Sequence, residues 1–355
     1  MNASTEAKLP KYIQLAQQVR EQIECGELKP GDRMASFVEM RTKFGMSQAV
    51  LERAYALLEE EGRIVRQLGS GIYVARPARL KTKAVLGYLH VGGSEGSHSY
   101  YVHLLEGVRE AARREGQELM LLDDVPSLGS ERVDGLLVHG DGARDIHDRI
   151  PPGMPAVGLM ATANDVPGVL ADDYDGVCQA TRHLLELGHR RIGYLIDIME
   201  AGDTTRQRFD GYRRTLHAEG ILLDPNLVGH LANYGPMVRR GYRSMREWLN
   251  AGWRQLGCTA LLVQNDQAAM GAMQALQEAG MQVPHDISVV GYDGAEECEF
   301  ARPHLTSVGV PLRQIGFEAA ELLLVMIRAE TTVGPNRILP TALQIRDSTA
   351  RVSTC

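Results

Sequence analysis

Apolar residues recur at helical spacing over Lys11–Cys25, where Ile13, Leu15, Ala16, Val19 and Ile23 share a side and Gly26 stops the run. Leu28-Lys29-Pro30-Gly31-Asp32 reads as a turn, with proline fixing φ and Gly31 supplying freedom. A short second helix is predicted from about Phe37 to Phe44, with Ser36 as its N-cap. Gly45 breaks it, and Ser47 can cap a third helix ending near Glu61-Gly62. Residues 64–66 and 72–75 then alternate like two short strands around Leu68-Gly69-Ser70-Gly71, which predicts a hairpin. A turn, an amphipathic helix and a glycine-tipped hairpin in that order describe a winged helix-turn-helix. Such a module sets one helix into a DNA major groove.

The rhythm changes after a basic, core-poor stretch, Arg76 to Lys83, of which 77–83 is read as a linker between a module at 1–76 and a body at 84–350. Strands are predicted at 85–89, 118–122, 135–138, 156–159, 192–196, 260–263 and 288–292. Helices are predicted at about 100–115, 176–187, 206–219, 266–279 and 312–328. Alternating apolar strands and amphipathic helices imply parallel sheets covered on both faces, and the stretch is long enough for two lobes.

Composition narrows the function classes. The chain has 355 residues, 44% hydrophobic and 23% charged, which is ordinary globular material. No run of about 18 apolar residues occurs, and the first residues lack the basic and apolar parts of a secretion signal, so a cytoplasmic protein with no membrane partner is expected. Five scattered cysteines, without CxxC pairs or interleaved histidines, read as reduced thiols and not as a disulfide frame or zinc site. The net charge of −7 is unusual for a DNA binder, but residues 1–76 carry eleven Lys and Arg against ten acids and are near neutral. Gly92-Gly93-Ser94-Glu95-Gly96 follows a strand yet lacks both the GxGxxG spacing and the Lys-Ser/Thr of a P-loop. No GxSxG, HExxH or metal spacing is present, so neither a catalytic residue, a metal nor a cofactor is expected.

Lys11–Ala75 resembles the winged-helix domain of the GntR family of bacterial regulators, through Gly26-Glu27-Leu28-Lys29-Pro30-Gly31-Asp32, Leu57-Leu58-Glu59-Glu60-Glu61-Gly62 and the Gly69-Ser70-Gly71 wing. Residues 84–350 resemble the effector domain of the LacI/GalR family, which shares its fold with periplasmic sugar-binding proteins. The matching strings are Val133-Asp134-Gly135-Leu136, the run from His183 to Ile192, Arg208-Phe209-Asp210-Gly211-Tyr212, Asp286 to Asp293, and Arg346-Asp347-Ser348-Thr349. The combination is similar to the arabinose-repressor architecture. The fold so implied is an α+β winged helix-turn-helix joined to a two-lobed α/β periplasmic-binding-protein-like domain.

The resemblance implies a ligand-responsive repressor that binds double-stranded operator DNA as a homodimer and a small polar effector, a sugar or related compound, between its lobes. It points to Ser36, Ser47, Gln48, Ala49 and Arg53 for DNA contact, with Gly69 and Gly71 on the wing. Gln48 could pair with adenine and Arg53 could grip phosphate or guanine. The plain alternative for Ser47 is a helix cap. Departures are visible: Met34-Ala35-Ser36-Phe37 replaces the usual Leu-Pro-Ser/Ala-Glu, Val38 stands where a basic contact is common, and Gln48 and Glu52 stand where arginines are usual. The operator is therefore expected to differ from the common half-site.

For the effector the resemblance points to Tyr100, Arg208, Asn265 and Asp293, with His98 and Ser99 nearby. A guanidinium fork, an amide and a carboxylate together offer donors and acceptors to one polar ligand. Asp266 is read as the N-cap of the helix it begins, and Asp172 and Asp173 as loop or capping residues. Met160, where several sugar-responsive relatives have an acid, is expected to make one end of the pocket less hydrophilic. Trp248 and Trp253 are read as helix packing in preference to ring stacking. The dimer surface is expected on the helix at about 100–115 and the start of the second lobe. Two other readings stay open: a regulator whose body only dimerises, and a solute receptor.

Overall fold

A computed structural model of the chain describes residues 11–24, 28, 32–34, 46–60, 63–67, 71–74, 83–90, 98–122, 133–139, 150–151, 153–163, 166–197, 203–232 and 235–352. Internal contacts divide the chain into two compact units, Met1–Thr82 and Lys83–Cys355.

In the first unit, α1 (Lys11–Glu24) lies on α2 (Gln48–Glu60), followed by the antiparallel pair β1 (Ile64–Gln67) and β2 (Gly71–Val74). The reason is the spacing of apolar side chains. Leu51, Ala54, Tyr55 and Leu58 recur at three and four residues, so they form one stripe of α2 and bury it against Leu15, Ala16 and Val19 of α1. Ile64 and Val74, paired across the hairpin, close the same core from the sheet side. The predicted helix at Phe37–Phe44 lies outside the described residues.

The second unit holds two six-stranded sheets. In the first lobe β3 (Val85–His90), β4 (Glu118–Leu122), β5 (Gly135–His139), β6 (Ala156–Leu159), β7 (Gly168–Ala171) and the late β13 (Arg337–Leu339) lie in the order β13-β7-β6-β5-β3-β4, all parallel. In the second, β8 (Ile192–Ile196), β9 (Val228–His230), β10 (Ala260–Val263), β11 (Ser288–Asp293), β12 (Thr306–Gly309) and β14 (Ala342–Gln344) run β14-β12-β11-β10-β8-β9, with only β14 antiparallel. Central strands such as β5, β8 and β10 are buried along their whole length, the continuous apolar run of a strand covered on both faces.

The covering helices are α3 (His98–Arg114), α4 (Asp173–Glu186), α5 (Asp203–Ala218), α6 (Met237–Asn250), α7 (Asp266–Glu278) and α8 (Leu312–Arg328). Two pairs approach to backbone distance because glycine removes the side chain at the crossing. A Cβ on Gly107 of α3 would stand 1.9 Å from the Arg313 carbonyl of α8, and one on Gly271 of α7 would stand 1.9 Å from the Val238 carbonyl of α6. Trp248 and Trp253 meet edge to face at 4.3 Å, over the small residues Gly229 and Gly193, so they pack the second lobe as the sequence suggested.

Among the described residues the chain passes between the lobes three times: after β7, after β12 and after β13. The passages are laced together. Asp172 N donates to the Leu339 carbonyl at 2.8 Å, Thr341 Oγ1 donates to the Asp172 carbonyl at 3.2 Å, and Gly309 pairs with Ala342.

Candidate functional site

Gln48, Ala49, Glu52, Arg53 and Ala56 are all exposed and share the face of α2 opposite its buried stripe. Ser47 stands just before the helix, where its carbonyl accepts from Val50 N and Leu51 N at 3.1 and 3.2 Å. Gln48 donates its amide to Glu52 Oε1 at 2.8 Å, and the Arg53 guanidinium lies 5.9 Å from the Tyr12 ring of α1. Gly71 is the first residue of β2 and pairs with Gln67. Ser36 and Gly69 lie outside the described residues.

In the second unit the C-terminal ends of the parallel strands converge between the lobes, the usual place for a ligand in such sheets. Asp293 ends β11 with φ 112°, a left-handed conformation costly for a side-chain-bearing residue, and Gly294 follows at φ 71°. Arg208, buried on α5, donates from Nε to Asp173 Oδ1 at 2.7 Å and from Nη1 to the Gln264 carbonyl at 2.8 Å. Its Cζ lies 3.7 Å from the Tyr292 ring centroid, and its Nη2 stands 4.0 Å from Asp293 Oδ1. Tyr100 enters from α3 in the other lobe and shares with Asp293 a cavity of about 700 Å³. Gly294, Val310, Leu312 and Phe317 also line it.

The electrostatics follow from burial. Burial alone would lower the Arg208 guanidinium, but Asp173, Tyr292 and Asp293 around it hold it further protonated than usual. Burial pushes the Asp293 carboxyl well up; Arg208 opposes this, while Asp266 and Asp173 reinforce it. The Tyr100 hydroxyl is also pushed well above its ordinary value, first by burial and then by Asp293, against Arg208.

Several sequence-based assignments change here. The N-cap of α7 is Asn265, whose Oδ1 accepts from Ala268 N at 2.9 Å, so Asp266 is the first helical residue and not the cap. Either neighbouring side chain could cap; the backbone register decides. Asp266 is instead buried, with Oδ1 accepting from Ser307 Oγ at 2.5 Å and Oδ2 from Ala295 N at 2.7 Å. It thus ties β12 and the loop after Asp293 to α7. Burial raises its carboxyl to about 6 despite those hydrogen bonds.

Asn265 does not line the Tyr100–Asp293 cavity, and its amide nitrogen has no partner among the described residues. Asp172 does cap α4, accepting from Asp175 N at 2.9 Å, but Asp173 is the buried carboxylate that compensates Arg208 and not a loop residue. Met160 is buried in the first lobe's core with φ 61° and does not line the cavity, contrary to the expectation drawn from its position. His98 and Ser99 open α3, and their side chains lie outside the described set.

A second buried ion pair was not foreseen. Arg240 of α6 donates from Nη2 to Asp197 Oδ2 at 2.7 Å, just past the end of β8. Gln264 links the pairs, since its carbonyl holds Arg208 and its Oε1 accepts from Asp197 N at 2.6 Å. A carboxylate partner for a buried arginine could have been required from the sequence, but not which of many acids supplies it. No group of three metal-ligating side chains occurs among the described residues.

Two family models match. Residues 11–74 match "Bacterial regulatory proteins, gntR family", and residues 181–349 match the "Periplasmic binding protein-like domain". The chain is 26% identical to the arabinose metabolism transcriptional repressor of Geobacillus stearothermophilus, over 98% of this chain and 100% of that protein. It is 33% identical to the HTH-type transcriptional regulator CelR of Thermobifida fusca, over 70% of this chain and 76% of that one. Among solved structures, a complex of the transcriptional regulator CelR with cellobiose covers 87% of this chain and 94% of its own, with TM-score 0.66 and 27% identity. The lac repressor dimer bound to operator and an anti-inducer covers 76% of this chain and 95% of its own, with TM-score 0.63 and 26% identity.

Proposed function

The chain belongs to the DNA-binding transcription regulators that join a GntR-family head to a LacI-type, periplasmic-binding-protein-like body, and from that premise we propose that it reports a sugar or related polar metabolite to operator DNA as a repressor. It is a regulator and not an enzyme. The observation that carries the ligand reading is the cavity that Tyr100 from one lobe and Asp293 from the other line together; Arg208 does not line it and stands behind Asp293, its Nη2 4.0 Å from Asp293 Oδ1. A ligand held by both lobes favours one lobe angle over another, and it shifts that equilibrium by its difference in affinity for the two states.

In this reading residues 1–76 bind DNA, 77–83 tether, and 84–350 sense the effector and dimerise. Ser47, Gln48, Ala49 and Arg53 meet the groove, and Ser36, Gly69 and Gly71 complete the contact. Asn265 lies outside the lining of the Tyr100–Asp293 cavity, and its amide nitrogen, without a partner among the described residues, is proposed as a further effector contact for a state in which the lobes meet a ligand differently. The exposed face of α2 supports the first assignment, and the relative crystallised with cellobiose supports the second. A homodimer working in the cytoplasm fits the lac repressor dimer seen on its operator and the lack of a membrane-spanning helix among the described residues.

The test is a gel shift of the full chain on the DNA upstream of its own coding sequence, with and without candidate effectors. Loss of binding in Gln48→Ala and Arg53→Ala is expected. If both variants bind like the parent, α2 does not read the operator.

A further inference from the structure

Gln264 follows β10 directly, and the hydrogen-bond ladder to β8 departs from its regular pattern there. Its N–H donates to the Leu195 carbonyl at 2.9 Å, one residue past the pair Val263–Leu195 that ends the strand register. In a parallel ladder, a residue that donates to the Leu195 carbonyl accepts, through its own carbonyl, from the N–H of Asp197. The Asp197 N–H goes elsewhere: it donates to the Gln264 side chain, at Oε1, at 2.6 Å. A backbone N–H only donates, so the amide oxygen must be the atom that faces it. The carbonyl released in this way accepts from Arg208 Nη1 at 2.8 Å.

That exchange of acceptors fixes where the guanidinium lies. Arg208 is buried, with Nε on Asp173 Oδ1 at 2.7 Å and Cζ 3.7 Å from the centre of the Tyr292 ring. With Nη1 on the Gln264 carbonyl, it is held from three sides: the start of α4, the end of β11 and the end of β10. Nη2, without a hydrogen bond among the described residues, is left 4.0 Å from Oδ1 of Asp293, which lines the cavity. The far end of the link is fixed as well, since Asp197 Oδ2 accepts from Arg240 Nη2 of α6 at 2.7 Å.

Resting on the sensor reading above, we infer that Gln264 is a positioning residue for effector recognition. Its side chain replaces its own carbonyl in the sheet, and the freed carbonyl holds Arg208 so that Nη2 faces Asp293. Gln264 does not itself line the cavity, so it acts through Arg208. A side chain of equal length without an acceptor returns the Asp197 N–H to the carbonyl, where it competes with Arg208, because a buried N–H left unpaired is costly.

Two variants of the full chain test this. Gln264→Met keeps the length and loses the acceptor; Gln264→Glu keeps an oxygen for the Asp197 N–H. Hydrogen exchange at the Asp197 amide, read by mass spectrometry, should stay as slow in Gln264→Met as in the parent, because the carbonyl takes the N–H back. Faster exchange there overturns the inference. Thermal shift with ribose, arabinose, galactose, glucose and cellobiose then finds a sugar that raises the parent's unfolding midpoint, and titration gives its affinity. That sugar should bind about tenfold more weakly to Gln264→Met, the scale of one hydrogen bond to a charged group, and with near-parental affinity to Gln264→Glu. A Glu variant as weak as the Met variant, or a Met variant as tight as the parent, overturns the positioning role and leaves the sensor intact. A parent stabilised by none of these sugars overturns the sugar-sensor reading, and the positioning role with it.

Discussion

Gln48 and Glu52 hold each other across one turn of the exposed face of α2, amide to carboxylate at 2.8 Å. The side chain best suited to read adenine is thus engaged by an acid that itself repels phosphate. Glu52→Ala frees the amide and removes the charge. Operator binding should tighten by about threefold, the scale of one exposed charge interaction, with a gel shift at fixed salt as the measure. Equal or weaker binding would show that Glu52 positions Gln48 for the groove.

Asp173→Asn leaves Arg208 buried without its compensating charge. Loss of one partner of a buried pair costs about 3–5 kcal/mol, and denaturant unfolding should show a loss of that order. Asp173→Leu combined with Arg208→Met should recover much of it while abolishing any effector response. A single variant as stable as the parent would mean that Gln264 and Asp293 suffice to hold the guanidinium.

Asp266 gives a pH signature with a defined sign. Its carboxyl rises from an ordinary 3.8 to about 6 on folding, so the folded state keeps its proton where the unfolded state has lost it. Its contribution to stability therefore falls as pH rises from about 4 to about 6 and is flat above that. The stability of the parent minus that of Asp266→Asn should fall over this window by about 2 kcal/mol, groups not coupled to Asp266 cancelling. Urea melts of both proteins at pH 4.5, 5.5 and 7.5 measure it; a constant difference would rule the shift out.

At Asp293 the backbone and the side chain can be separated. Its φ of 112° suits glycine, so Asp293→Gly should be more stable than Asp293→Ala by about 1 kcal/mol. Both should lose effector binding, since both lack the carboxylate. If the alanine variant is the more stable of the two, the strand end relaxes without strain.

Much of the fold was written in local patterns, and the site was written less evenly. Strands such as 135–139 and 260–263 are uninterrupted apolar runs, and the helix at 312–328 has a continuous amphipathic stripe, so both kinds were legible. Edge strands 228–230, 337–339 and 342–344 have three residues each and mixed burial, too short for a period to register. Arg208 and Asp293 could be placed because the resemblance fixed their strings. Asp173, Gln264 and Arg240 could not, because their roles depend on partners 35, 56 and 43 residues away. The Asn265–Asp266 exchange turned on a single residue of register between two side chains that cap equally well.

The three laced passages between the lobes set the kind of signal this body can carry. Two plates joined by one thread can twist, slide and part independently; three adjoining seams resist sliding and parting and leave rotation about the seams as the softest motion. A ligand held between the lobes would then report mainly through how far that rotation has gone. Two chemically different ligands that yield the same angle would be indistinguishable downstream, and a third that binds without moving it would be silent.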